Sequence, residues 1–179
     1  FHDYFFTAPN VEVDRPFVGF DNFVTVPTDP RVLGSFRNTL VFLVINVPLT
    51  AVLSLVLAAA LNTGIRWVAA YRVAFYVPYL TASVSLVGVW MLLFSGNGLI
   101  NTILGPLAPE PSWLVNSGLA MPMIALYVTW KQLGFYILLY LAALQNVPKE
   151  LYESAETDGA GAFKRFLHVT VPGVRSATT

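Results

Sequence analysis

The sequence predicts an all-α integral membrane protein. Only 11% of its 179 residues are charged and 56% are hydrophobic, and the mean hydropathy is +0.65. A soluble domain carries about 25% charged residues, so this composition is typical of the membrane class. Three long apolar segments alternate with polar or proline- and glycine-rich segments. Each apolar segment is expected to be a helix, because a helix satisfies its own backbone hydrogen bonds in lipid.

Residues 1–37 are polar and aromatic, and we assign them as an extracytoplasmic segment ahead of a transmembrane domain over residues 38–179. Repeated prolines argue against long regular helices in residues 1–37. Residue 1 is phenylalanine, and no basic-then-apolar signal opens the chain. We therefore expect an internal portion of a longer protein, truncated at both ends.

The three spans are predicted over about residues 39–61, 73–94 and 119–144, because about 20 apolar residues cross a bilayer core as a helix. Pro48 lies inside the first and predicts a kink. Small residues recur there at helical spacing and predict a seam with another helix. They are Ala51, Ser54 and Ala58.

Charge predicts the orientation. The turn after the first span carries Arg66 and Arg72. The segment after the third carries Lys149, Lys164, Arg165 and Arg175. The loop after the second span, residues 95–117, has no basic residue. By the positive-inside rule the two basic sides are cytoplasmic, which places residues 1–37 outside.

Lys131 is the one ionisable residue in the middle of a span, and Trp130, Gln132 and Tyr136 lie near it in sequence. An intramembrane charge is costly unless it is paired or faces water, so it is a candidate functional residue. A tryptophan ring and an amide suit a sugar, whereas the ammonium suits an anionic group such as a phosphate. A structural ion pair with a missing segment or a partner remains a third interpretation.

Asn46 in the first span is a weaker substrate-pathway candidate. A lone polar residue in an apolar helix more often makes an interhelical hydrogen bond.

The polar segment 148–172 predicts two short helices joined by a turn. Pro148 can start a helix, and Leu151, Tyr152 and Ala155 share one face of it. Gly159 is expected to end that helix in the left-handed conformation. A second apolar stripe follows at Phe163, Phe166 and Leu167, which predicts an amphipathic second arm.

The order and spacing of Glu153-Ser154-Ala155, Gly159 and Val169-Thr170-Val171-Pro172 resemble the EAA loop of permease subunits from binding-protein-dependent ABC importers, of the sugar and glycerol-phosphate type. The family pattern is Glu-Ala-Ala, three residues, Gly, nine residues, then Ile-x-Leu-Pro. Ser154, Val169 and Val171 depart from it mildly. Residues 17–23, FVGFDNF, resemble the family's "F-V-G-L-x-N-F" stretch.

The resemblance implies that residues 148–172 dock on a cytoplasmic ATP-binding subunit. The implied docking residues are Glu153, Ser154, Ala155, Asp158, Gly159, Phe163 and Pro172. It also implies a second permease subunit in a heterodimer, two ATP-binding subunits, an extracytoplasmic solute-binding protein and a prokaryotic cytoplasmic membrane as the location. Residues 1–37 and the loop around Asn97 to Trp113 would face the binding protein.

The implied function is a pathway for a sugar or related solute. This chain is not expected to bind a cofactor, because ATP and Mg²⁺ belong to the partner subunits and no phosphate-binding glycine loop occurs. Cysteine is absent and the two histidines, His2 and His168, lie far apart in sequence, so no metal site is expected. No catalytic constellation occurs, so a transport subunit rather than an enzyme is expected. Zero net charge gives no sign of a nucleic-acid partner. The alternative is a secondary carrier or channel, but that class predicts acidic residues in the spans, and none occurs there.

Overall fold

The computed structural model describes residues 15–63 and 67–178, without the side chains of Ser176 and Thr178. Within these ranges the chain is helical and contains no strand ladder. The α-helices are α1 (Asp21–Thr25), α2 (Pro30–Asn62), α3 (Val68–Leu80), α4 (Ser83–Phe94), α5 (Leu99–Leu104), α6 (Ala120–Gln145), α7 (Lys149–Thr157), α8 (Ala162–Arg165), α9 (Val171–Gly173) and α10 (Arg175–Thr178). Short 3₁₀ turns occur at Val26–Thr28 and Gly105–Leu107.

The part of the chain that the structure describes forms two compact units, which divide between Val41 and Phe42. The first contains α1, the 3₁₀ turn at Val26–Thr28 and the start of α2. The helix α2 begins at Pro30, earlier than the predicted start of the first span, so the expectation of no long helix before residue 38 was wrong. The Asp29 carboxylate accepts a hydrogen bond of 2.8 Å from the Arg31 N–H. A capping carboxylate followed by a proline, which needs no N–H there, starts a helix well.

The predicted second span, 73–94, is not one continuous helix. It divides into α3 and α4 at Thr81 and Ala82, which both have extended ψ angles. At the end of α3, the Thr81 N–H and hydroxyl both bond the Val77 carbonyl, at 3.0 and 2.8 Å. Arg72, predicted to lie in a turn, is inside α3, whereas Arg66 lies outside the described residues.

Within the described residues, three helical segments are long and apolar enough to cross a membrane. They are Pro30–Asn62, Ser83–Leu107 and Ala120–Gln145. The third covers the predicted span 119–144, and the first continues through Pro48 without interruption. The second includes α5, although the sequence predicts a loop there. In that loop, Trp113 Nε1 donates to Asn101 Oδ1 at 2.6 Å.

A polar and small-residue seam joins α2 to α6. Asn46 Nδ2 donates to Thr129 Oγ1 at 2.9 Å and to the Ala125 carbonyl at 3.3 Å. Thr50 Oγ1 donates to Thr129 Oγ1 at 3.1 Å. Further along α2, Ser54 and Ala58 are fully buried, as the small-residue spacing predicted. Interhelical hydrogen bonds and close packing are what join helices in lipid, where apolar side chains have no preference for each other.

The hydrophobic core lies at the C-terminal ends of α2 and α6. Its buried members come from both helices and from the segment after α9: Leu55, Ala58, Leu61, Leu133, Ile137, Tyr140, Leu141, Leu144 and Val174. Phe166 packs against this core from the segment 148–172. The two longest helices and the predicted docking segment therefore share one core.

Candidate functional site

The first candidate site is the docking loop, residues 148–172. Its first arm is α7, preceded by Pro148 as the capping residue. The arm ends at Asp158, whose N–H donates to the Ser154 carbonyl at 2.9 Å. Gly159 follows with φ of 75°, and a Cβ there would have nothing within 4 Å. The turn therefore needs a glycine for its backbone conformation rather than for lack of space.

The second arm is irregular. It begins with α8, continues as a π-helical turn over Phe166–Thr170 and ends in α9. In the π turn the Val171 N–H donates to the Phe166 carbonyl, five residues back. Pro172 has no N–H to offer the carbonyl of His168, four residues back, and its ring would crowd that carbonyl in an α-helix. The π turn accommodates the proline at the end of the predicted pattern.

Two side-chain contacts tie the arms together. The Tyr152 hydroxyl and Thr170 Oγ1 are 3.1 Å apart, and Thr170 is buried. Arg165 Nη1 and Glu156 Oε2 form a salt bridge of 2.8 Å. Because the Glu156 side chain is 70% exposed, that salt bridge contributes little to stability. The Tyr152–Thr170 contact is therefore the better candidate for holding the arms in register.

A groove of about 460 Å³ lies between the two arms. Four of the seven predicted docking residues line it: Ser154, Ala155, Asp158 and Pro172. Glu153 and Gly159 are exposed beside them. The structure thus brings together residues that are up to eighteen positions apart in sequence.

Large apolar side chains of the docking loop remain uncovered within the described residues. Phe163 is 74% exposed, Leu151 50% and Leu167 44%. The predicted common face of the first arm is unevenly covered, because Tyr152 and Ala155 are half-buried while Leu151 is exposed and lines the groove together with Ala155. Exposed large apolar side chains within a polar segment are typical of a protein interaction surface.

The residue that follows the docking loop packs against the segment that leaves α6. A Cβ on Gly173 would meet the Val147 side chain at 2.7 Å, so only glycine allows this approach. Val147 is 7% exposed and Val174 is fully buried. The loop is thereby packed directly against the segment that leaves α6.

The second candidate site surrounds Lys131, at the break between α3 and α4. Lys131 Nζ donates to the Ser83 hydroxyl, on the first residue of α4. The Tyr127 hydroxyl donates to the Ser83 carbonyl at 3.3 Å. Tyr127 and Lys131 are four residues apart, which places them on one face of α6.

Aromatic rings lie on both sides of this contact. On one side the rings of Tyr79 and Phe135 stack at a centroid distance of 5.4 Å. On the other side Trp90 lies 6.0 Å from Trp130 and 5.5 Å from Tyr127. We call this set the cation–aromatic seam: Tyr79, Ser83, Trp90, Tyr127, Trp130, Lys131 and Phe135. Among the described residues, the buried Nε1 of Trp90 has no hydrogen-bond partner.

The other pathway candidates lie elsewhere. Gln132 and Tyr136 are half-buried and lie four residues apart on a different face of α6 from Lys131. Asn46 is 7% exposed and makes the interhelical bonds described above. Of the three candidates predicted beside Lys131, Trp130 is a member of the seam and Gln132 is not. Tyr136 contacts the seam from outside, with its ring 5.4 Å from that of Phe135.

Sequence reasoning did not find Ser83, Thr129 or Tyr127. Two signals were available: Tyr127, Lys131 and Phe135 recur every four residues, and Asn46 required a partner in another helix. Neither signal identifies the partner helix, because the contacting residues are 48 and 83 positions apart in sequence. The described residues hold no cluster of three His, Cys, Asp or Glu residues suited to a metal ion.

Comparison with known families decides the class of protein. Residues 30–179 match the model of the binding-protein-dependent transport system inner membrane component family. The chain belongs to this family. It is therefore an inner membrane component of a transport system and an ABC permease homologue, as the EAA-type spacing had predicted.

Individual relatives agree with the family. The chain is 38% identical over 157 residues to the sn-glycerol-3-phosphate transport system permease protein UgpA of Yersinia pestis bv. Antiqua (strain Antiqua), covering 87% of this chain and 53% of that protein. It is 35% identical to the diacetylchitobiose uptake system permease protein NgcF of Streptomyces coelicolor, covering 92% and 50%. The chain thus spans about half the length of the curated relatives it matches.

The fold is also that of a solved transporter. The structure of a bacterial alginate ABC transporter in complex with an alginate pentasaccharide-bound periplasmic protein matches with a TM-score of 0.75 and 25% identity. The match covers 90% of this chain and 57% of that chain. The all-helical membrane fold predicted from composition is confirmed by this similarity.

Proposed function

We propose that the protein forms part of the translocation pathway of an ATP-driven importer for a sugar or sugar-related solute. In this proposal the docking loop couples the pathway to a cytoplasmic ATPase. Family membership supports the transport role. The geometry of the docking loop supports the coupling role, and that geometry is the observation on which the proposal rests.

The docking loop has the features that a subunit contact requires. Four docking residues line one groove, and the Phe163 ring of the same loop is 74% exposed. In a protein interface, an exposed aromatic residue typically enters a pocket on the partner and supplies much of the binding energy. Glu153 adds a negative charge at the rim, where it favours a partner with a basic surface.

The mechanical connection follows from the shared core. A push on the docking loop reaches α6 through the Gly173–Val147 contact and reaches α2 and α6 through Phe166 and Val174. Packed interiors yield little to compression, so the displacement moves the helices rather than deforming the core. Closure of the ATPases on ATP would in this way tilt α2 and α6.

The proposed assembly contains a second permease subunit, two ATP-binding subunits that hold ATP and Mg²⁺, and an extracytoplasmic solute-binding protein. The alginate transporter complex with its periplasmic protein supports the last of these partners. The protein is proposed to be multi-pass in the cytoplasmic membrane of a prokaryote, with residues 148–172 inside.

The names of the relatives support a carbohydrate-related solute without choosing one. One relative is named for sn-glycerol 3-phosphate and another for diacetylchitobiose. The first compound carries a phosphate, so a phosphorylated solute is within the range of the family.

Affinity purification of the full-length protein from native membranes in mild detergent tests the docking role. We expect an ATP-binding subunit to be recovered with the native protein and to be lost with Phe163→Ala. The matched control is Leu107→Ala, which removes another exposed apolar side chain, 83% exposed and outside the docking loop. Its recovery of the ATPase should equal that of the native protein.

Recovery of the native protein without any ATP-binding subunit would contradict the proposal and favour a secondary carrier or channel. Equal ATPase recovery with Phe163→Ala and with the native protein would remove the docking loop from the contact.

A further inference from the structure

We propose that the cation–aromatic seam binds the anionic group of the transported solute. The solute would then be a sugar derivative that carries a carboxylate or a phosphate. This inference rests on the function proposed above, because it assigns a substrate class to the same pathway.

The first argument is charge balance. Lys131 lies near the middle of α6, a helix of 26 residues. Between Pro30 and Lys149, and without counting Lys149, the sequence contains five cationic residues. The single acidic residue in this range is Glu110, which lies in a loop. The three spans therefore supply no carboxylate to neutralise the Lys131 ammonium. A charge at that depth is costly unless something of opposite sign or water reaches it.

The second argument is the unused donor capacity of Lys131. The ammonium has three N–H donors, and its partner among the described residues is the hydroxyl of Ser83. A hydroxyl orients the ammonium but leaves its charge in place. Carboxylate and phosphate oxygens form charge-assisted hydrogen bonds with an ammonium, and these are about twice as strong as neutral ones.

The third argument is the arrangement of the aromatic rings. Trp130 is 37% exposed, and Phe135 is 43% exposed on the other side of Lys131. Rings that flank a small number of well-placed polar groups are typical of sites for small organic molecules. A sugar ring would rest on the aromatic faces while its charged group meets Lys131.

A purely structural role for Lys131 makes a different prediction. In that case the Lys131–Ser83 bond only joins α6 to the start of α4, and a neutral hydrogen-bond donor replaces it well. Lys131→Gln retains such a donor and removes the charge. Lys131→Arg retains the charge, so the two variants separate anion binding from helix attachment.

The experiment measures binding to the full importer in lipid nanodiscs by isothermal titration calorimetry. The probes are two matched pairs, sn-glycerol 3-phosphate with glycerol and glucuronate with glucose. We expect the native protein and Lys131→Arg to bind the anionic member of at least one pair about tenfold or more tightly than the neutral member. That is the difference in affinity that one charge-assisted hydrogen bond supplies. The pair that responds distinguishes a phosphate from a carboxylate.

Lys131→Gln should bring the two affinities of that pair within about twofold of each other, because the variant has no charge to attract the anionic member. A twofold ratio corresponds to about 0.4 kcal/mol. A native protein without preference in either pair, or a Lys131→Gln variant that keeps the full preference, would overturn the inference. Recovery of the ATP-binding subunit is measured on the same samples. If the native protein did not retain the ATP-binding subunit, the proposed importer would be contradicted. If it retained the subunit but showed no preference for an anionic solute, only the proposed solute class would be contradicted.

Discussion

Single residues determine how closely the helices of this protein approach each other. A Cβ built on Gly134, in α6, would lie 2.7 Å from the Cα of Tyr76 and still closer to the Phe75 carbonyl oxygen. Both obstacles are backbone atoms of α3, which cannot move aside as a flexible side chain can. Gly134 is therefore the residue that permits α3 and α6 to cross in contact.

Gly134→Ala is expected to destabilise the protein by about 1–3 kcal/mol, the usual cost of extra volume in a packed site. The measurement is the apparent midpoint of thermal unfolding of the detergent-solubilised importer. Gly88→Ala is the matched control, since Gly88 is also in a spanning helix and nothing in the described residues lies within 4 Å of its Cβ. Equal shifts for the two variants would show that the crossing does not depend on Gly134.

The polar residues of the spans illustrate what sequence reasoning reaches at this scale. The sequence predicted that Asn46 makes an interhelical hydrogen bond and that small residues of α2 form a seam. Thr129, which accepts from Asn46 at 2.9 Å, could not be named, because many polar side chains in other spans would have satisfied Asn46 equally well. The role of Lys131 stays a proposal for the same reason, since its contact with Ser83 depends on where α4 begins.

At the scale of elements, the docking loop follows local rules more closely than the spans do. Its helix, its glycine turn and its second arm all lie where the sequence pattern predicts them. The exception is the π turn over Phe166–Thr170, which the position of Pro172 explains.

The predicted second span does not follow local rules in this way. It divides at Thr81 and Ala82, and hydropathy gives no sign of that division because both halves are apolar.

Gly159→Ala is expected to weaken association with the ATP-binding subunit by about fivefold. An L residue at φ of 75° costs about 1 kcal/mol or more, and this strain would shift the turn that sets the angle between the arms. Surface plasmon resonance of the purified permease on immobilised ATPase measures the change.

Gly161→Ala is the control for the turn. Gly161 has φ of −65°, which any residue adopts, and a Cβ there would have nothing within 4 Å. If Gly161→Ala weakened the association as much as Gly159→Ala, backbone strain at Gly159 would not be the cause.

At the scale of the whole molecule, the distribution of charge predicts which ends of the spans face the cytoplasm. Basic residues occur after the first and third spans, whereas the loop between α4 and α6 carries Glu110 as its charge. The family match supports a location in the inner membrane, and the orientation itself remains a prediction of the positive-inside rule.

Cysteine labelling tests this orientation, because these 179 residues contain no cysteine. Single cysteines are introduced at Glu110 and at Lys164, which are both exposed, after replacement of any cysteine elsewhere in the full protein. A membrane-impermeant maleimide should label Glu110→Cys in intact spheroplasts and label Lys164→Cys only after permeabilisation. The opposite pattern would reverse the topology and place the docking loop outside, where no ATPase could reach it.

The sequence by itself determined the class of protein, the first and third apolar spans and the helices and turn of residues 148–172, because hydropathy, proline and glycine positions and motif spacing act over short distances along the chain. Tertiary structure decided the break between α3 and α4, the partners of Asn46 and Lys131, and the close approach at Gly134. The hydrogen bonds of Asn46 and Lys131 and the contact at Gly134 each join residues that are far apart in sequence and belong to different helices. Such contacts depend on how the helices pack. The hydropathy of an almost uniformly apolar span does not specify that packing, because side-chain size and hydrogen bonds between helices determine it.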